Sequence, residues 1–483
     1  MSKGRCLNMK ILFVTSEAYP LLKTGGLADV AGALPAAIRD IGNDVRILIP
    51  AYPQVLEKAE KKSKAISLGD PLGIGEVQLI KAHMPKSGVP LLLIDCPILY
   101  QRAGNPYTGP DGRDWSDNHL RFAMLSMVAV MLGAPENALG WTPDVMHCND
   151  WQSGLIPAYL HFQEKKRPKT VFTVHNMQYQ GLFDNHVLNE LKLPEKSYAI
   201  EGIEFHNQIS FLKAGLYYGD ALTTVSPTYA QEIKTLQHGC GLDGLLRFRA
   251  DHLSGILNGI DGKDWNPETD VHIPHAYGAA DLSGKRKSKA ALQREQGLPV
   301  KAKAPLFCMV SRLTDQKGID LIFDTVPLLI ENGAQVTILG SGDKAWESAL
   351  TSLAATSPNI NVHIGYDENL AHRMIAGADV FMMPSRFEPC GLTQMYALRY
   401  GTLPLVRRTG GLADTVVDIN VKGKGTGFVF DQPTAQAMVQ SAKRALAHYE
   451  RPSAWKTTKL RAMRQDFSWT SAAQSYKTLY TKL

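Results

Sequence analysis

The chain of 483 residues is 44% hydrophobic and 20% charged, and its formal net charge is +6 at pH 7. This length predicts two to four domains with sizeable cores, and this composition excludes an intrinsically disordered protein. No apolar run approaches about 18 residues, so no membrane span is expected, and the mild charge does not indicate nucleic-acid binding.

Short apolar runs alternate with helical patterns along the N-terminal half. Six of these runs predict strands: Lys10–Val14, Asp44–Ile49, Val89–Ile94, Val145–His147, Val171–Val174 and Ala221–Val225. The loop Lys23–Gly26 leads into a helical pattern that continues through Ile38, and a longer pattern begins at Asn118. A strand, a loop, a helix and a second strand in succession form a βαβ unit, so these segments predict a parallel sheet.

A second series of strands follows a junction. Asn258–Gly262 and the proline-rich, charged region that extends to Lys303 predict a boundary between domains. Five further runs predict strands: Leu306–Val310, Gln335–Leu339, Val362–Ile364, Val380–Met383 and Leu403–Val406. The predicted fold is α/β, with two doubly wound, Rossmann-like domains that face one another across a deep cleft and bind ligands at the carboxyl ends of their strands.

The hexapeptide Thr-Gly-Gly-Leu-Ala-Asp occurs twice, at Thr24–Asp29 and at Thr409–Asp414, each time after a basic residue, Lys23 or Arg408. A Gly-Gly turn before a helix presents backbone N–H groups at the positive end of the helix dipole, which suits a phosphate. The alternative is that glycine only solves a packing problem at two similar strand–turn–helix corners. Both interpretations predict two related halves.

Polar side chains cluster after the predicted strands of both halves. They are Lys23, Asp29, Asn149, Asp150, Trp151, His175, Asn176, Arg312, Lys317, Gly340–Gly342 and Glu388. Any single one could be an ordinary loop residue, and His175 could be a structural histidine, but six strands that end this way indicate a ligand site. Lys23, Arg312 and Lys317 form a cationic trio suited to a diphosphate.

Three other chemistries do not fit the residues. The first turn lacks G-x-G-x-x-G and the second strand ends at Pro50 rather than at an acid, which disfavours dinucleotide binding. No Walker lysine motif is present, which disfavours ATP hydrolysis. His147, His175 and His206 have no metal-ligand spacing with carboxylates, so no metal site is predicted.

Four segments together carry a family resemblance. They are Lys23-Thr-Gly-Gly-Leu, His175-Asn176, Ser311-Arg312-Leu313-Thr-Asp-Gln-Lys317-Gly318 and Pro384-Ser-Arg-Phe-Glu388-Pro-Cys-Gly-Leu-Thr393. In this order and spacing they closely resemble the bacterial glycogen synthases of the ADP-glucose type, glycosyltransferase family 5. The resemblance extends from about Met9 to the C-terminus.

That resemblance implies a GT-B fold and a retaining transfer of glucose from ADP-glucose to the non-reducing-end 4-hydroxyl of an α-1,4-glucan such as glycogen, without a metal or another cofactor. The implied catalytic residues are Lys23, His175, Arg312, Lys317 and Glu388. The implied substrate-binding residues are Gly26, Asp29, Tyr100, Asp150, Trp151, Asn176, Asn258, Tyr366, Cys390, Gly391, Leu392 and Thr393. Tyr366 would stack on adenine, and the acceptor side would hold Tyr100, Asp150 and Trp151.

The same resemblance implies the domain organisation. Residues 1–255 would form the acceptor-side domain, residues 256–463 would bind the donor, and a helix within residues 464–483 would return to the first domain. One position departs from the wider retaining GT-B enzymes, many of which carry a second glutamate where this chain has Tyr396. Tyr396 is therefore either a replacement at the ribose or a core residue. Trp151 and Tyr100 likewise have a core-packing alternative.

The residue set also predicts a mechanism. Retaining hydrolases use two carboxylates about 5–5.5 Å apart, and the chain shows no obvious pair of that kind. Neutralised ADP is already a good leaving group. Its phosphate oxygen can take the proton of the acceptor on the same face, which retains configuration without a covalent intermediate.

Two other functions stay open at this stage. A glycan phosphorylase would need a pyridoxal phosphate lysine, and no convincing one is evident. The full set of charged residues argues against a catalytically silent glucan- or nucleotide-binding regulator. The six scattered cysteines lack a C-x-x-C pair and indicate a reducing cytoplasm. The densest basic run, Lys285–Lys289, is expected on a solvated helix face.

Overall fold

The computed structural model describes residues 8–163 and 166–483, and the chain separates into two compact units. The first unit comprises Met1–Gly259 and Trp469–Leu483, and the second comprises Ile260–Ser468. The predicted domains change over a few residues earlier, at 255/256 and 463/464. The two ends of the second unit are paired, because Ile260 N donates to the carbonyl of Phe467 at 2.8 Å. The roles predicted for the domains stay predictions.

Two sheets occur in the described part of the first unit. Their strands are β1 (Lys10–Val14), β2 (Asp44–Pro50), β3 (Ile66–Gly69), β4 (Val77–His83), β5 (Pro90–Asp95), β6 (Val145–Asn149), β7 (Lys169–Val174), β8 (Leu182–Asp184), β9 (Glu204–Phe205), β10 (Gln208–Ser210), β11 (Ala221–Thr224) and β12 (Leu253–Gly255). The large sheet has the order β12-β11-β7-β6-β1-β2-β5-β4-β3, and the small one has the order β8-β10-β9. Pairing in the large sheet is parallel from β12 to β5 and antiparallel at β4 and β3.

Burial explains which strands the sequence predicts. Ile11–Val14 of β1 is fully buried, because a parallel sheet is covered on both faces and its strands read as continuous apolar runs. All six predicted strands of this half are present. The edge strand β3 and its antiparallel neighbour β4 were not predicted. They place partly exposed residues between more deeply buried ones, so they lack a continuous apolar run.

Helices flank the large sheet. Those of the first unit are α1 (Gly26–Asp40), α2 (Pro53–Lys58), α3 (Pro97–Tyr100), α4 (Asn118–Gly133), α5 (Leu155–Phe162), α6 (Phe211–Tyr218), α7 (Pro227–Glu232) and α8 (Asp243–Phe248). The last helix of the chain, Trp469–Tyr480, also belongs to this unit and packs on α1. Its Tyr480 hydroxyl lies 2.7 Å from Nδ1 of the buried His147.

A parallel sheet forms the centre of the second unit. Its strands within the described residues are β13 (Leu306–Val310), β14 (Gln335–Gly340), β15 (Ile360–Ile364), β16 (Val380–Met383), β17 (Leu403–Arg407) and β18 (Phe428–Phe430), in the order β15-β14-β13-β16-β17-β18. Its helices are α9 (Ser283–Glu295), α10 (Ile322–Glu331), α11 (Lys344–Ala354), α12 (Glu368–Gly377), α13 (Thr393–Arg399), α14 (Gly410–Thr415), α15 (Ala435–Tyr449) and α16 (Pro452–Met463). The last helix of the chain, Trp469–Tyr480 of the first unit, is α17. The five strands predicted here are all present.

The large sheet of the first unit and the sheet of the second unit each reverse their strand order beside their first strand. In the first unit β1 lies between β6 and β2, and in the second β13 lies between β14 and β16. Doubly wound sheets bind ligands at the carboxyl ends of the strands at such a switch point. Lys23 follows β1 and Asn149 ends β6, while Arg312 follows β13 and Glu388 follows β16. The topology therefore places these four residues at the switch points of their own units.

The basic run Lys285–Lys289 corrects one expectation. It lies on α9, but Lys285 and Lys289 are only 4% and 6% exposed. Nζ of Lys285 donates to Thr402 Oγ1 at 2.6 Å, and burial lowers the pKa of Lys285 to about 7. Nζ of Lys289 lies 2.6 Å from the carboxylate of Asp379. Solvent reaches only the other basic residues of the run, so the prediction of a solvated face was half wrong.

Candidate active site

The loop after β1 is held by a buried carboxylate. Glu17 is 2% exposed, and its Oε2 accepts hydrogen bonds from Thr24 N and Thr24 Oγ1, both at 2.6 Å. Burial raises the pKa of Glu17, and the bonds from Thr24 oppose that shift. Lys23, which precedes Thr24, is exposed, and its Nζ lies 2.8 Å from Asp29 Oδ1. Glu17 was not among the predicted site residues. The signal available in the sequence was its place in the Thr-Ser-Glu segment that directly follows β1.

His175 at the end of β7 is bonded to the end of β6. Asn149 donates through Nδ2 to Val14 O at 3.0 Å, so its Oδ1 is directed to His175 Nε2, which lies 3.1 Å away. The ring proton is therefore assigned to Nε2. Burial lowers the pKa of His175 to about 3, so the ring is neutral at neutral pH. Nδ1 is then a hydrogen-bond acceptor.

Asp150 positions the same histidine through the backbone. Its Oδ1 accepts from His175 N at 3.0 Å. Asp150 is 7% exposed, and burial raises its pKa to about 7. Its φ is +57°, a strained value for a residue with a side chain, which persists only where surrounding contacts hold it. Such residues concentrate at functional sites.

The two predicted acceptor aromatics differ in their surroundings. Trp151 is partly exposed and packs edge-on against Phe122, with ring centroids 4.8 Å apart. Tyr100 is 1% exposed, and its hydroxyl donates to Arg121 O at 2.6 Å. The ring of Tyr100 is thus enclosed by the core. We therefore assign Tyr100 a packing role and do not propose that it contacts the acceptor.

Three other predicted contacts of the first unit lie at loop or helix ends. Gly26 is the exposed first residue of α1. Asn176 is partly buried, and its Oδ1 accepts from Gln178 N at 3.0 Å. Asn258 is 7% exposed, and its Oδ1 has no hydrogen-bond partner among the described residues. A buried amide oxygen without a partner is costly, so a ligand hydroxyl at Asn258 would satisfy it.

The second unit brings three predicted groups to one place. Nζ of Lys317 lies 2.6 Å from Glu388 Oε2, with the side chains 13% and 9% exposed. Ser385 Oγ donates to the same oxygen at 2.9 Å. Arg312 is exposed on the loop after β13, where its Nη2 lies 3.5 Å from Gln316 Oε1. Gln316 Nε2 in turn donates to the carbonyl of Phe387, the residue before Glu388, at 3.2 Å. This edge of the sheet therefore combines two cations with a buried carboxylate.

The segment after Glu388 leads into α13. Cys390 is 5% exposed, Gly391 has a φ of +69°, and Thr393 is the first residue of α13 after Leu392. Tyr366 lies elsewhere on the unit, 78% exposed, with its hydroxyl 3.0 Å from Glu368 Oε2.

Tyr396 is a core residue, which resolves one alternative. It is 9% exposed, and its ring stacks on Trp265 with centroids 3.8 Å apart and planes 3° apart. His372 also stacks on Trp265, with ring centroids 3.7 Å apart. The position that holds a second glutamate in many retaining GT-B enzymes is thus used here for packing.

Comparison with known proteins identifies the family. Residues 10–248 match the family model of the starch synthase catalytic domain, and residues 293–460 match that of glycosyl transferases group 1. A glycogen synthase of Rhodospirillum rubrum is 52% identical over 98% of this chain and 98% of its own length. The chain belongs to the glycogen synthase family. A second family member, from Thioalkalivibrio sulfidiphilus, is 50% identical, and the match covers 98% of this chain and all of that relative.

A solved structure supports the same assignment. The catalytic domain of starch synthase IV from Arabidopsis thaliana, bound to ADP and acarbose, has a TM-score of 0.87 and is 31% identical, covering 98% of this chain and 99% of that chain. The predicted GT-B fold class and the predicted enzyme class, a glycosyltransferase, are confirmed. No helix in the described part of the chain is long and apolar enough to cross a membrane. The cysteines within the described residues form no disulfide bonds with one another, and Cys6 lies outside the described residues.

Proposed function

We propose that this family member lengthens an α-1,4-glucan such as glycogen by moving glucose from ADP-glucose to the non-reducing-end 4-hydroxyl, with retention of configuration and release of ADP. The observation that carries the proposal is the ion pair of Lys317 and Glu388, to which Arg312 is connected through Gln316 and the carbonyl of Phe387. It combines cations for a diphosphate with a carboxylate for a glucosyl unit. The names of the relatives and the ADP in the starch synthase structure support it.

The cations activate the leaving group. Lys23, Arg312 and Lys317 neutralise the charge that develops on ADP as the glucosyl bond breaks, which is commonly the largest single catalytic contribution. Backbone N–H groups near Gly26 and at 391–393 add donors. Tyr366 stacks on the adenine.

Asp29, Asn258, His175 and Glu388 orient the glucosyl unit. The lone pair on Nδ1 of neutral His175 accepts a sugar hydroxyl, because Nε2–H is already directed at Asn149. Asn258 Oδ1 accepts a second hydroxyl. A cationic histidine would have no acceptor to offer, so burial of this ring serves the proposed role.

Retention follows a front-face route. Glu388 Oε2 accepts from both Lys317 and Ser385, and these bonds reduce its nucleophilicity. A phosphate oxygen of the departing ADP takes the proton from the acceptor hydroxyl on the same face. The acceptor oxygen then bonds to the anomeric carbon without a covalent glucosyl-enzyme. Trp151 contacts the glucan, and Asp150 holds His175 in place.

The experiment is an assay of the purified full-length protein with ADP-glucose and glycogen. ADP release that requires glycogen, together with new α-1,4 linkages in the product, is expected. No glycogen-dependent ADP release would refute the function, and a glucosyl-enzyme adduct trapped by mass spectrometry would refute the front-face route. We also propose a cytoplasmic location, because the six cysteines are scattered and lack a C-x-x-C pair.

A further inference from the structure

The second copy of the repeated hexapeptide is enclosed by the chain around Glu388. We call residues 385–391 the Glu388 segment. A Cβ on Gly410 would lie 1.9 Å from the carbonyl oxygen of Glu388, and a Cβ on Gly411 would lie 1.9 Å from that of Cys390. No side-chain carbon approaches a carbonyl oxygen this closely. Gly410 also has a φ of +42°. Only glycine fits these two positions.

The first copy has a different environment. Gly26 is exposed, and no atom lies within 4 Å of the position that its Cβ would take. Gly25 has a single neighbour within that distance, Glu17 Oε1 at 3.9 Å. The two copies therefore share a sequence, but only the first leaves space beside its glycines for a ligand.

The backbone of the second copy is already used for hydrogen bonds. Gly411 N donates to the carbonyl oxygens of Glu388 and Pro389, both at 3.1 Å. The phosphate-binding alternative that the sequence left open for this copy is thus disfavoured. Its N–H group holds the Glu388 segment instead.

Side chains extend this support. Thr415 Oγ1 donates to Gly411 O at 2.6 Å, and Gln394 Nε2 donates to Thr415 Oγ1 at 3.2 Å. The same Nε2 contacts the carbonyl oxygens of Cys390 at 3.1 Å and Gly391 at 3.0 Å. Gln394 is fully buried. The chain from 388 to 391 is therefore bonded to 411 both directly and through Thr415.

Arg407 holds the preceding residues from the same side. Its Nε donates to Ser385 O at 3.2 Å, and its Nη2 donates to Arg386 O. Arg407 is 9% exposed, so these bonds are shielded from water. Arg407, Gly410, Gly411 and Thr415 together form what we call the Glu388 cradle.

We propose that the Glu388 cradle is a positioning element for catalysis, which sets the place of the Glu388 carboxylate and hence of its pair with Lys317. The proposal rests on the catalytic role of Glu388 in the proposed function. The two copies of the hexapeptide therefore have different roles. The first copy faces the donor diphosphate, and the second holds the carboxylate that acts on the glucosyl unit.

A double-mutant cycle on the full-length enzyme tests this. Gly411→Ala should lower kcat for glycogen-dependent ADP release about 100-fold, the scale of an ångström-sized displacement of a catalytic group. In the Glu388→Gln background the same substitution should cost less than about threefold, because coupled residues are not additive. Equal losses in both backgrounds would overturn the positioning role and leave the proposed function intact. A fully active Glu388→Gln enzyme would overturn the role of Glu388 itself.

Gly284→Ala is the matched control. A Cβ on Gly284, buried on α9 of the same unit, would lie 2.2 Å from Ala276 O, and the three atoms nearest to it belong to Ala276 and Tyr277. It should lower Tm and change kcat by less than about twofold, since it does not act through Glu388. A comparable kcat loss in this control would overturn the proposal.

A milder pair covers the case in which Gly411→Ala does not fold. Thr415→Val removes the hydroxyl that links Gly411 to Gln394, and should lower kcat about fivefold, the scale of one hydrogen bond. Thr415→Ser retains the hydroxyl and should restore kcat. If both enzymes fold and have wild-type kcat, the cradle has no positioning role.

Discussion

Lys317 and Glu388 form an ion pair at the switch point of the second unit, with 2.6 Å between Nζ and Oε2. The first unit contains a comparable pair, Lys23 with Asp29 at 2.8 Å, on a more exposed loop. In each pair the lysine suits a phosphate and the carboxylate suits sugar hydroxyls. Loss of one partner of a buried pair leaves an uncompensated charge, so the Lys317 pair should be less tolerant of substitution than the Lys23 pair.

Lys23→Ala should lower turnover by about two to three orders of magnitude, the scale for removal of one group that stabilises transition-state charge. Tm should change little, because the Lys23 side chain is 33% exposed. Steady-state kinetics and thermal unfolding measure both. Arg408→Ala is the matched control, since Arg408 precedes the second copy of the repeat and should leave turnover unchanged. Near-normal turnover of Lys23→Ala would contradict the phosphate role.

Glu388→Gln keeps the shape of the side chain and removes its charge. If the carboxylate stabilises positive charge on the glucosyl centre, the loss should be in kcat, with a small change in KM for ADP-glucose. Ser385→Ala, which removes only the hydroxyl that donates to Glu388 Oε2, should have a smaller effect on kcat. A Glu388→Gln enzyme altered in donor KM alone would show that Glu388 is only a binding contact.

Trp151 and Tyr100 should respond differently to substitution. Trp151→Ala should weaken glycogen binding and leave ADP-glucose binding unchanged, as measured by the two KM values. Tyr100→Phe removes the hydroxyl that donates to Arg121 O, and should lower stability by about 1 kcal/mol without changing glycogen affinity. Equal damage to both substrates in Trp151→Ala would indicate a packing role for that residue as well.

Lys285 should give stability a pH dependence above neutrality. Its pKa is about 7 in the folded protein, below the ordinary lysine value of 10.5, so the unfolded chain binds the proton more tightly. The free energy of unfolding should therefore rise between pH 7 and about pH 10, because the unfolded state holds more protons over that range. Lys285→Met should remove this rise, as denaturant unfolding at several pH values would show.

Lys287→Met is the control for that experiment, because Lys287 is exposed on the same helix. It should retain the slope of the wild-type protein. An unchanged slope in Lys285→Met would show that Lys285 keeps its proton over this pH range in the folded state.

The sequence by itself determined the α/β class, the two halves and the main strands. Buried parallel strands such as β1 and β13 are continuous apolar runs, and such runs are visible without a structure. It also determined which polar residues follow those strands, because the order of the chain fixes what comes after each one. The family followed from the same residues.

Only the tertiary structure decided the surroundings of individual side chains. The sequence predicted that Lys285 and Lys289 face solvent, but both side chains are buried. Their ammonium groups donate hydrogen bonds to carbonyl, hydroxyl and carboxylate oxygens of other segments. The sequence allowed Tyr100 to stack on a sugar ring, but its hydroxyl is bonded to Arg121 O and its ring is enclosed by the core. The role of Glu17 in holding the loop after β1 is evident only from its hydrogen bonds with Thr24.

The repeated hexapeptide separates the two kinds of information most clearly. Local sequence specifies a Gly-Gly turn that begins a helix at both Gly26 and Gly410. It does not specify which atoms approach that turn. In the second copy the carbonyls of Glu388 and Cys390, about 20 residues earlier in the chain, fill the space that the first copy leaves open. Identical residues therefore have different roles, because packing with other segments sets what each backbone group contacts.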